Sequence, residues 1–203
     1  MELHRRMNPI WLEPRAVTVA FWLAYAACFL PEMICAFWQT SGATDRRRDR
    51  WSYPILVVGL VGSVILACNV SASWPMARIN KDQTTMLVAG TLVMVGGAAF
   101  RWYSTRVLGR FFTRDVAIRE DHRIVRDGPY RYLRHPSYSG GILSMIGVGL
   151  ALDNWASLIV IIGAPIAVYA YRMSVEKTAL AEAFGDSYRA YQRETRRILP
   201  FVY

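Results

Sequence analysis

Five apolar runs separated by polar segments organise the chain. The runs cover residues 16–38, 53–74, 85–104, 137–152 and 155–171. The first three are long enough to cross a hydrocarbon core of about 30 Å, whereas the last two are near the lower limit for a span. The pattern predicts an all-α integral membrane protein with five transmembrane helices, in a single domain over residues 1–203.

Polar residues at the ends of the runs add detail to this pattern. Asp153 and Asn154 join the last two runs, which predicts a helical hairpin whose two ends return to the same side of the membrane. Pro31 and Glu32 lie near the end of the first run and predict a kink or a carboxylate that faces the bundle interior. The third run ends at residues 101–103, an arginine followed by two aromatic residues, which is typical of membrane-interface anchors.

Composition and charge agree with a membrane protein. Hydrophobic residues make up 54% of the chain and charged residues 19%, whereas soluble domains average about 25% charged residues. A net charge of +9 would also suit a nucleic-acid-binding protein. The arginines, however, lie between apolar runs rather than on a soluble domain, so we expect no nucleic-acid partner.

The distribution of Lys and Arg predicts the orientation. With the amino terminus outside, segments 39–52, 105–136 and 172–203 lie inside and hold four, eight and six of these residues, against five in the outside segments. The positive-inside rule then predicts that the carboxyl end and most of the polar chemistry face the cytoplasm.

The sequence predicts no metal site. Its three cysteines, Cys28, Cys35 and Cys68, all lie in apolar runs, and the three histidines are scattered at positions 4, 122 and 135. Neither set has metal-ligand spacing, and there is no CxxC pair. We expect the cysteines to be buried free thiols.

A polar segment over residues 108–141 precedes the fourth run and predicts an irregular loop at the interface. Gly128 and Pro129 predict a turn, and Pro136 biases His135 away from helix. Ser137 then stands at an N-cap position for the fourth helix. Tyr130, His135 and Tyr138 would line this loop.

The second polar segment, residues 172–203, predicts a helix with a turn at Gly185-Asp186. Arg172 and Glu176 lie four residues apart on one face, where the last run leaves the apolar core. They form either a helix-stabilising ion pair or part of a functional site, since ionisable groups at a span's end often mark one.

The order of motifs in the second half of the chain resembles that of the isoprenylcysteine carboxyl methyltransferase family of integral membrane methyltransferases. "LGRFF…DHRIVRDGPYRYLRHPSYSGG" is followed by about thirty apolar residues and then by "RMSVEKTAL…FGDSYRAY…LPF". The likeness covers roughly residues 101–203. In this helix the family usually has two adjacent glutamates, whereas here the second position is Lys177.

The resemblance implies that S-adenosylmethionine binds in a cytoplasmic pocket formed by the loop and the carboxy-terminal helix. It assigns cofactor binding to a set of residues from both segments: His122, Arg123, Ile124, Val125, Tyr130, His135, Pro136, Ser137, Tyr138 and Glu176. It assigns substrate binding to Arg172 and catalysis to Arg172 and Glu176. The acceptor would be a lipophilic, isoprenylcysteine-like acid that enters from the bilayer among the membrane lipids.

The chemistry of these residues suits methyl transfer. A carboxylate such as Glu176 can hold the ammonium group of the cofactor, and no GxGxxG motif predicts a soluble nucleotide-binding fold. A carboxylate acceptor is already ionised and needs only alignment, for which Arg172 offers a bidentate fork. An amine acceptor would need a base, Glu176 or His135. Two alternatives therefore stay open: a phospholipid N-methyltransferase and a non-catalytic lipid-binding membrane protein.

Overall fold

Five helices account for most of the chain. The computed structural model describes residues 16–38, 46–49, 51–80, 82–112, 116–118 and 123–198. The helices are α1 (Ala16–Trp38), α2 (Ser52–Ser73), α3 (Gln83–Leu108), α4 (Pro136–Ala151) and α5 (Trp155–Glu194). Short 3-10 turns cover Pro75–Ala77, Gly109–Phe111 and Gly128–Arg131. Each apolar run of the sequence thus forms a helix.

Three of these helices are long and apolar enough to cross a membrane: α2, α3 with the turn that follows it, and α5. The apolar part of α1, Ala16–Pro31, is shorter, and α4 has 16 residues. A helix of that length spans about 24 Å, less than the hydrocarbon core of about 30 Å. The chain is therefore a helical membrane protein, while the count of five spans stays a prediction.

One short strand pair accompanies the helices of this all-helical architecture. Strand β1 (Arg46–Asp49) pairs antiparallel with β2 (Val116–Ile118), with Arg46 opposite Ile118 and Arg47 opposite Ala117. The sequence of β1 has four charged residues and none of the alternation that marks a strand, so its pattern gave no sign of it. The pairing places the segments that follow α1 and α3 at the same end of the bundle.

Close packing of α3 on α4 forms the centre of the bundle. Glycines on both helices let the backbones approach: a Cβ on Gly97 would lie 2.5 Å from the Ser144 nitrogen, and one on Gly140 would lie 2.7 Å from the Arg101 nitrogen. The Ser144 hydroxyl donates to the carbonyls of Met94 (3.2 Å) and Gly140 (3.0 Å). Small residues at such a seam allow van der Waals packing to hold membrane helices together.

Two adjacent glycines of α3 provide a direct test of this seam. Gly97→Ala is expected to destabilise the fold by about 1–3 kcal/mol, because the added methyl group overpacks against the α4 backbone. Gly96→Ala should be neutral or stabilising, since no described atom outside its chain neighbours and the nearby α3 backbone lies within 4 Å of the point that its methyl group would occupy. Alanine also favours helix. Thermal unfolding in detergent measures both; equal melting temperatures for the two variants would contradict the close approach.

The predicted hairpin between α4 and α5 is confirmed. Asp153 adopts a φ of 50° at the joint, and the Asn154 side chain caps α5 by accepting from the Ser157 nitrogen at 3.1 Å. Both residues also bind the connection between α2 and α3. Asp153 Oδ1 accepts from the Asn80 nitrogen at 2.9 Å, and the Asn154 amide donates to the Trp74 carbonyl at 2.8 Å. Polar contacts thus join with apolar packing, which includes the buried Leu152, to hold this end of the bundle.

The start of α4 differs from the prediction. The N-cap position is His135, and Pro136 is the first helical residue, so the assignment of Ser137 as N-cap is wrong. Proline suits the first helical position because its φ is already helical and its missing N–H needs no partner there. His135 lies outside the helix, with φ −128° and ψ 56°, as the following proline predicted.

The remaining local predictions concern α1, α5 and the thiols. Pro31 lies inside α1, while the side chains of Glu32 and Cys35 lie outside the described part. Gly185, with φ 51° and ψ −123°, interrupts α5 where a turn was predicted. Cys28 is buried and Cys68 half-buried, and neither forms a disulfide with another described residue.

Candidate active site

Four residues assigned from the sequence converge in space, although they come from segments about forty residues apart. Arg172 Nε donates to the Tyr138 hydroxyl at 2.8 Å and to Glu176 Oε1 at 3.1 Å. The Tyr138 hydroxyl donates to the same Glu176 oxygen. His135 Nδ1 lies 3.3 Å from Glu176 Oε2. The start of α4 and the middle of α5 thus meet around the Glu176 carboxylate.

An aromatic stack fixes the position of this cluster. The His135 and Tyr138 rings are parallel to within 2°, with centroids 5.4 Å apart. Tyr138 in turn stacks on Tyr169, one turn before Arg172 on α5, at 4.7 Å. Tyr169 is fully buried. Because the rings cannot rotate without losing these contacts, the Tyr138 hydroxyl is held between Arg172 and Glu176.

The ion pair of Arg172 and Glu176 is buried, with 6% and 19% of the two side chains exposed. It therefore differs from an exposed i,i+4 pair, which contributes only tenths of a kcal/mol. Burial of charges is costly unless hydrogen bonds satisfy them, and removal of one partner strands the other. The pair is thus more than an exposed helix-surface contact, while its part in a functional site stays a prediction.

The loop before α4 is anchored to α5. Gly128, with φ 53°, begins the 3-10 turn Gly128–Arg131, which confirms the predicted bend. Tyr130 is 5% exposed, and its carbonyl accepts from the Tyr191 hydroxyl at 2.7 Å. Burial raises the pKa of Tyr130 far above its ordinary value, so the phenol is neutral at physiological pH.

The other assigned residues differ in burial. Pro136 and Ser137 are buried at the start of α4. Arg123 is exposed, and Ile124 and Val125 are half-buried. His122 lies outside the described residues. The cofactor-binding role of all these residues stays a prediction.

A cavity of about 470 Å³ lies next to the cluster, between α1, α2, α3 and the middle of α5. Its walls are mainly apolar and include Phe29, Leu56, Leu60 and Val64. Arg172 and Tyr138 also line it, so the site is the polar end of an apolar chamber. The first two apolar runs carried no motif, yet their helices supply most of the chamber's wall.

Arg101 is the residue whose place in the site sequence reasoning missed. We interpreted it as an interface anchor, but it is half-buried and lines the chamber. Its Nη1 donates to the Ser137 carbonyl at 3.1 Å. An arginine within an apolar run is itself a signal of function. We gave this signal no weight, because the two aromatic residues that follow Arg101 are typical of an interface anchor.

The electrostatics of the chamber favour an anion. Three of the described residues that line it are arginines (Arg101, Arg106 and Arg172), and none is acidic. The carboxylate of Glu176 lies beside the chamber, and it already accepts from Arg172 and Tyr138. A guanidinium at the end of an apolar chamber suits the carboxylate of a lipophilic molecule.

The residues on the other side of the cluster fit a cationic, zwitterionic nucleoside such as S-adenosylmethionine. Two carboxylate oxygens offer about four acceptor positions, so the three neighbours of Glu176 leave room for roughly one more donor. The side chain is 19% exposed and thus within reach of an ammonium group. We find the donor set compatible with this cofactor.

Comparison with known proteins agrees with these features. A family model described as phospholipid methyltransferase matches residues 85–187, half of the chain. The chain therefore belongs to the phospholipid methyltransferase family. The match includes the loop before α4 and the Arg172–Glu176 pair, although the family model says nothing of their roles.

Relatives of the chain are isoprenylcysteine methyltransferases, which confirms the resemblance drawn from the motifs. The protein-S-isoprenylcysteine O-methyltransferase of Schizosaccharomyces pombe is 32% identical over 96 residues, or 46% of this chain and 41% of the relative. Enzyme B of the same name from Arabidopsis thaliana is 32% identical over 115 residues, or 56% of this chain and 58% of the relative. The chain spans about half the length of these relatives.

A solved structure shares the fold. It is the eukaryotic intramembrane Ras methyltransferase, isoprenylcysteine carboxyl methyltransferase, with a TM-score of 0.62 and 22% identity. The likeness covers 90% of this chain and 62% of that protein. At this level of identity it supports the helical membrane architecture, including the helices outside the matched motifs.

Proposed function

We propose that the protein is an S-adenosylmethionine-dependent membrane methyltransferase that converts the carboxylate of a lipophilic, isoprenylcysteine-like acceptor into a methyl ester. The observation that carries the proposal is the apolar chamber with Arg172 at its polar end. The names of the relatives support the same reaction.

The acceptor would enter from the bilayer. Large apolar side chains such as Val58 and Leu92 are 71% and 68% exposed on the outside of the bundle, as suits helices in contact with lipid. The apolar part of the acceptor would occupy the chamber, and its carboxylate would lie against Arg172. Arg101 would add a second positive charge there.

The chain's own residues would act mainly by alignment and by exclusion of water. When bound, S-adenosylmethionine supplies an electrophilic methyl group on a sulfonium centre. Arg172 would hold one carboxylate oxygen in line with that group, and good alignment contributes several kcal/mol to such displacements. No general base is needed, because the acceptor is already ionised at neutral pH.

Cofactor binding would fall to the loop before α4 and to α5, on the cytoplasmic face that the charge distribution predicts. Glu176 would bind the ammonium group, with Tyr130 and His135 beside it. The aromatic stack and the ion pair would keep Glu176 in place whether or not the cofactor is bound.

Phospholipid N-methylation is the second candidate, because the family model carries that description. An amine acceptor is protonated at neutral pH, and three arginines in the chamber would repel it. It would also need a base, and Glu176 is engaged by Arg172 and Tyr138. The charges of the chamber therefore favour the acid. A non-catalytic lipid-binding protein would have no need of the buried cluster.

Transfer of labelled methyl groups tests the proposal. We expect membranes or purified protein with labelled S-adenosylmethionine to label a prenylcysteine-type acid, such as N-acetyl-S-farnesylcysteine, and the label to be released by mild base, as a methyl ester is. Base-stable label on phosphatidylethanolamine would instead establish the amine reaction. Absence of cofactor binding by calorimetry in detergent would favour the non-catalytic alternative.

A further inference from the structure

The segment after α5 runs along the loop that carries His135. We call residues Thr195–Ile198 the carboxy-terminal strap. Leu133 and Arg196 form a parallel bridge, in which the Arg134 nitrogen donates to the Arg196 carbonyl at 2.7 Å and the Arg196 nitrogen donates to the Tyr132 carbonyl at 2.9 Å. The strap is therefore bound by backbone hydrogen bonds to residues directly before the cluster.

The Arg134 side chain adds hydrogen bonds between the loop before α4 and the end of α5. Its Nη1 donates to the carbonyls of Gln192 at 2.8 Å and Thr195 at 2.6 Å. These carbonyls belong to the last turn of α5 and the residue after it, where a helix has no partners of its own. A cation there also complements the helix dipole. Arg134 is half-buried and is thus engaged with the protein rather than with lipid headgroups alone.

The strap also binds the first residues of the site. The His135 nitrogen donates to the Arg197 carbonyl at 3.0 Å, and the Ser139 hydroxyl donates to the Ile198 carbonyl at 2.5 Å. His135 is thereby held on its backbone by the strap, while its imidazole lies against Glu176. A displacement of the strap would shift the imidazole relative to that carboxylate.

We infer that Arg134 is a positioning residue, which locks the strap against the start of α4 and so sets the geometry of His135 and Glu176 for the cofactor. The expected effect on cofactor affinity rests on the proposed function. The contact between Arg134 and the strap does not depend on that function. Arg134 touches neither Glu176 nor Arg172, so its loss should weaken cofactor binding and leave turnover at saturating cofactor nearly intact.

Arg134→Gln, which removes the positive charge and the guanidinium donors, tests this positioning role. We expect the Kd for S-adenosylmethionine, measured by calorimetry in detergent, to rise about tenfold, as the loss of a charged hydrogen bond would give, and kcat at saturating cofactor to stay within about twofold. Arg131→Gln is the matched control, because Arg131 is exposed and lies over the Tyr132 ring. It should leave both values unchanged. An unchanged Kd in Arg134→Gln, or an equal effect of the control, would overturn the inference.

Ser139→Ala is the second variant if Arg134→Gln does not fold, because it deletes the hydroxyl that contacts the Ile198 carbonyl of the strap at 2.5 Å and, more weakly, the His135 carbonyl at 3.3 Å. A rise in Kd of about threefold, the loss of one neutral hydrogen bond, supports the inference, and an unchanged Kd overturns it.

Amide hydrogen exchange tests the positioning role of Arg134 independently of the proposed function, because it needs no cofactor. The amides of Arg134, His135 and Arg196 should lose protection in Arg134→Gln but not in Arg131→Gln, with no cofactor present. If the wild type does not bind S-adenosylmethionine, the proposed function fails. Unchanged protection in Arg134→Gln overturns the positioning role, whatever the cofactor result.

Discussion

Arg172→Ala is expected to lower turnover of a carboxylate acceptor by at least about 100-fold, the effect of losing alignment at a reacting centre. The variant removes the guanidinium at the end of the apolar chamber, and no other described residue of α5 that lines the chamber carries a charge. Single-turnover transfer to a prenylcysteine-type acid measures the effect. Cofactor binding should persist, since Glu176 keeps its neighbours Tyr138 and His135.

Two further variants test whether this loss is specific to the Arg172 guanidinium. Arg172→Lys keeps the charge but loses the planar fork, so its activity should lie between those of the wild type and the alanine variant. Arg189→Ala changes an exposed arginine on the same helix, which pairs with the exposed Asp186, and should be fully active. Full activity of Arg172→Ala would exclude this residue from acceptor binding.

Glu176→Gln is expected to weaken S-adenosylmethionine binding by about 10- to 100-fold, because hydrogen bonds to a charged group contribute about 1.5–3 kcal/mol. The amide keeps the volume and one acceptor oxygen but removes the negative charge that an ammonium group requires. Calorimetry or equilibrium dialysis in detergent gives the affinity. The same affinity in the wild type and the variant would refute the assignment of Glu176 to the cofactor.

Glu182→Gln is the matched control for this variant, since it makes the same chemical change at an exposed position of α5. Lys177 is exposed as well. Lys177→Glu creates the pair of adjacent glutamates that the family resemblance led us to expect, and it should leave cofactor affinity unchanged. The fold thus presents Lys177 as a surface position, separate from the buried face that carries Arg172 and Glu176.

Arg172 and Glu176 are coupled through Tyr138, which contacts both. The family resemblance assigns Arg172 to the acceptor, Glu176 to the cofactor and both to catalysis. In the structure one hydroxyl touches both groups, so the two residues form a single hydrogen-bonded unit. Residues in one hydrogen-bond network usually show non-additive effects, so the double variant should lose less than the product of the two single losses.

Local pattern was enough to find the helices and the segments that carry the chemistry. Each apolar run became a helix because a membrane requires internally satisfied backbone hydrogen bonds over about twenty residues. Glycine and proline marked the bend at Gly128, the interruption at Gly185 and the start of α4. The error at Ser137 was local too: the capping preference of serine was given more weight than the preference of Pro136 for the first helical position.

Charge pattern is a weaker guide to individual arginines. It predicts an interface anchor at Arg101 and gives no sign of the contact that Arg134 makes. Their partners, the carbonyls at the end of α5 and the carbonyl of Ser137, are 58 and 36 residues away. No local pattern contains a contact of that range. The pairing of β1 with β2 escaped detection for the same reason.

The sequence by itself determined the class of protein, the helices and the residue types available for methyl transfer. Only the tertiary structure decided how these residues contact one another, because the approach of α3 to α4 and of α4 to α5 depends on glycines whose partners lie on other helices. It also decided that helices without any motif, α1 and α2, enclose the chamber. The hydrophobic effect has no preferred direction. An apolar run therefore predicts side chains that are buried or face lipid, but it does not predict which cavity they surround.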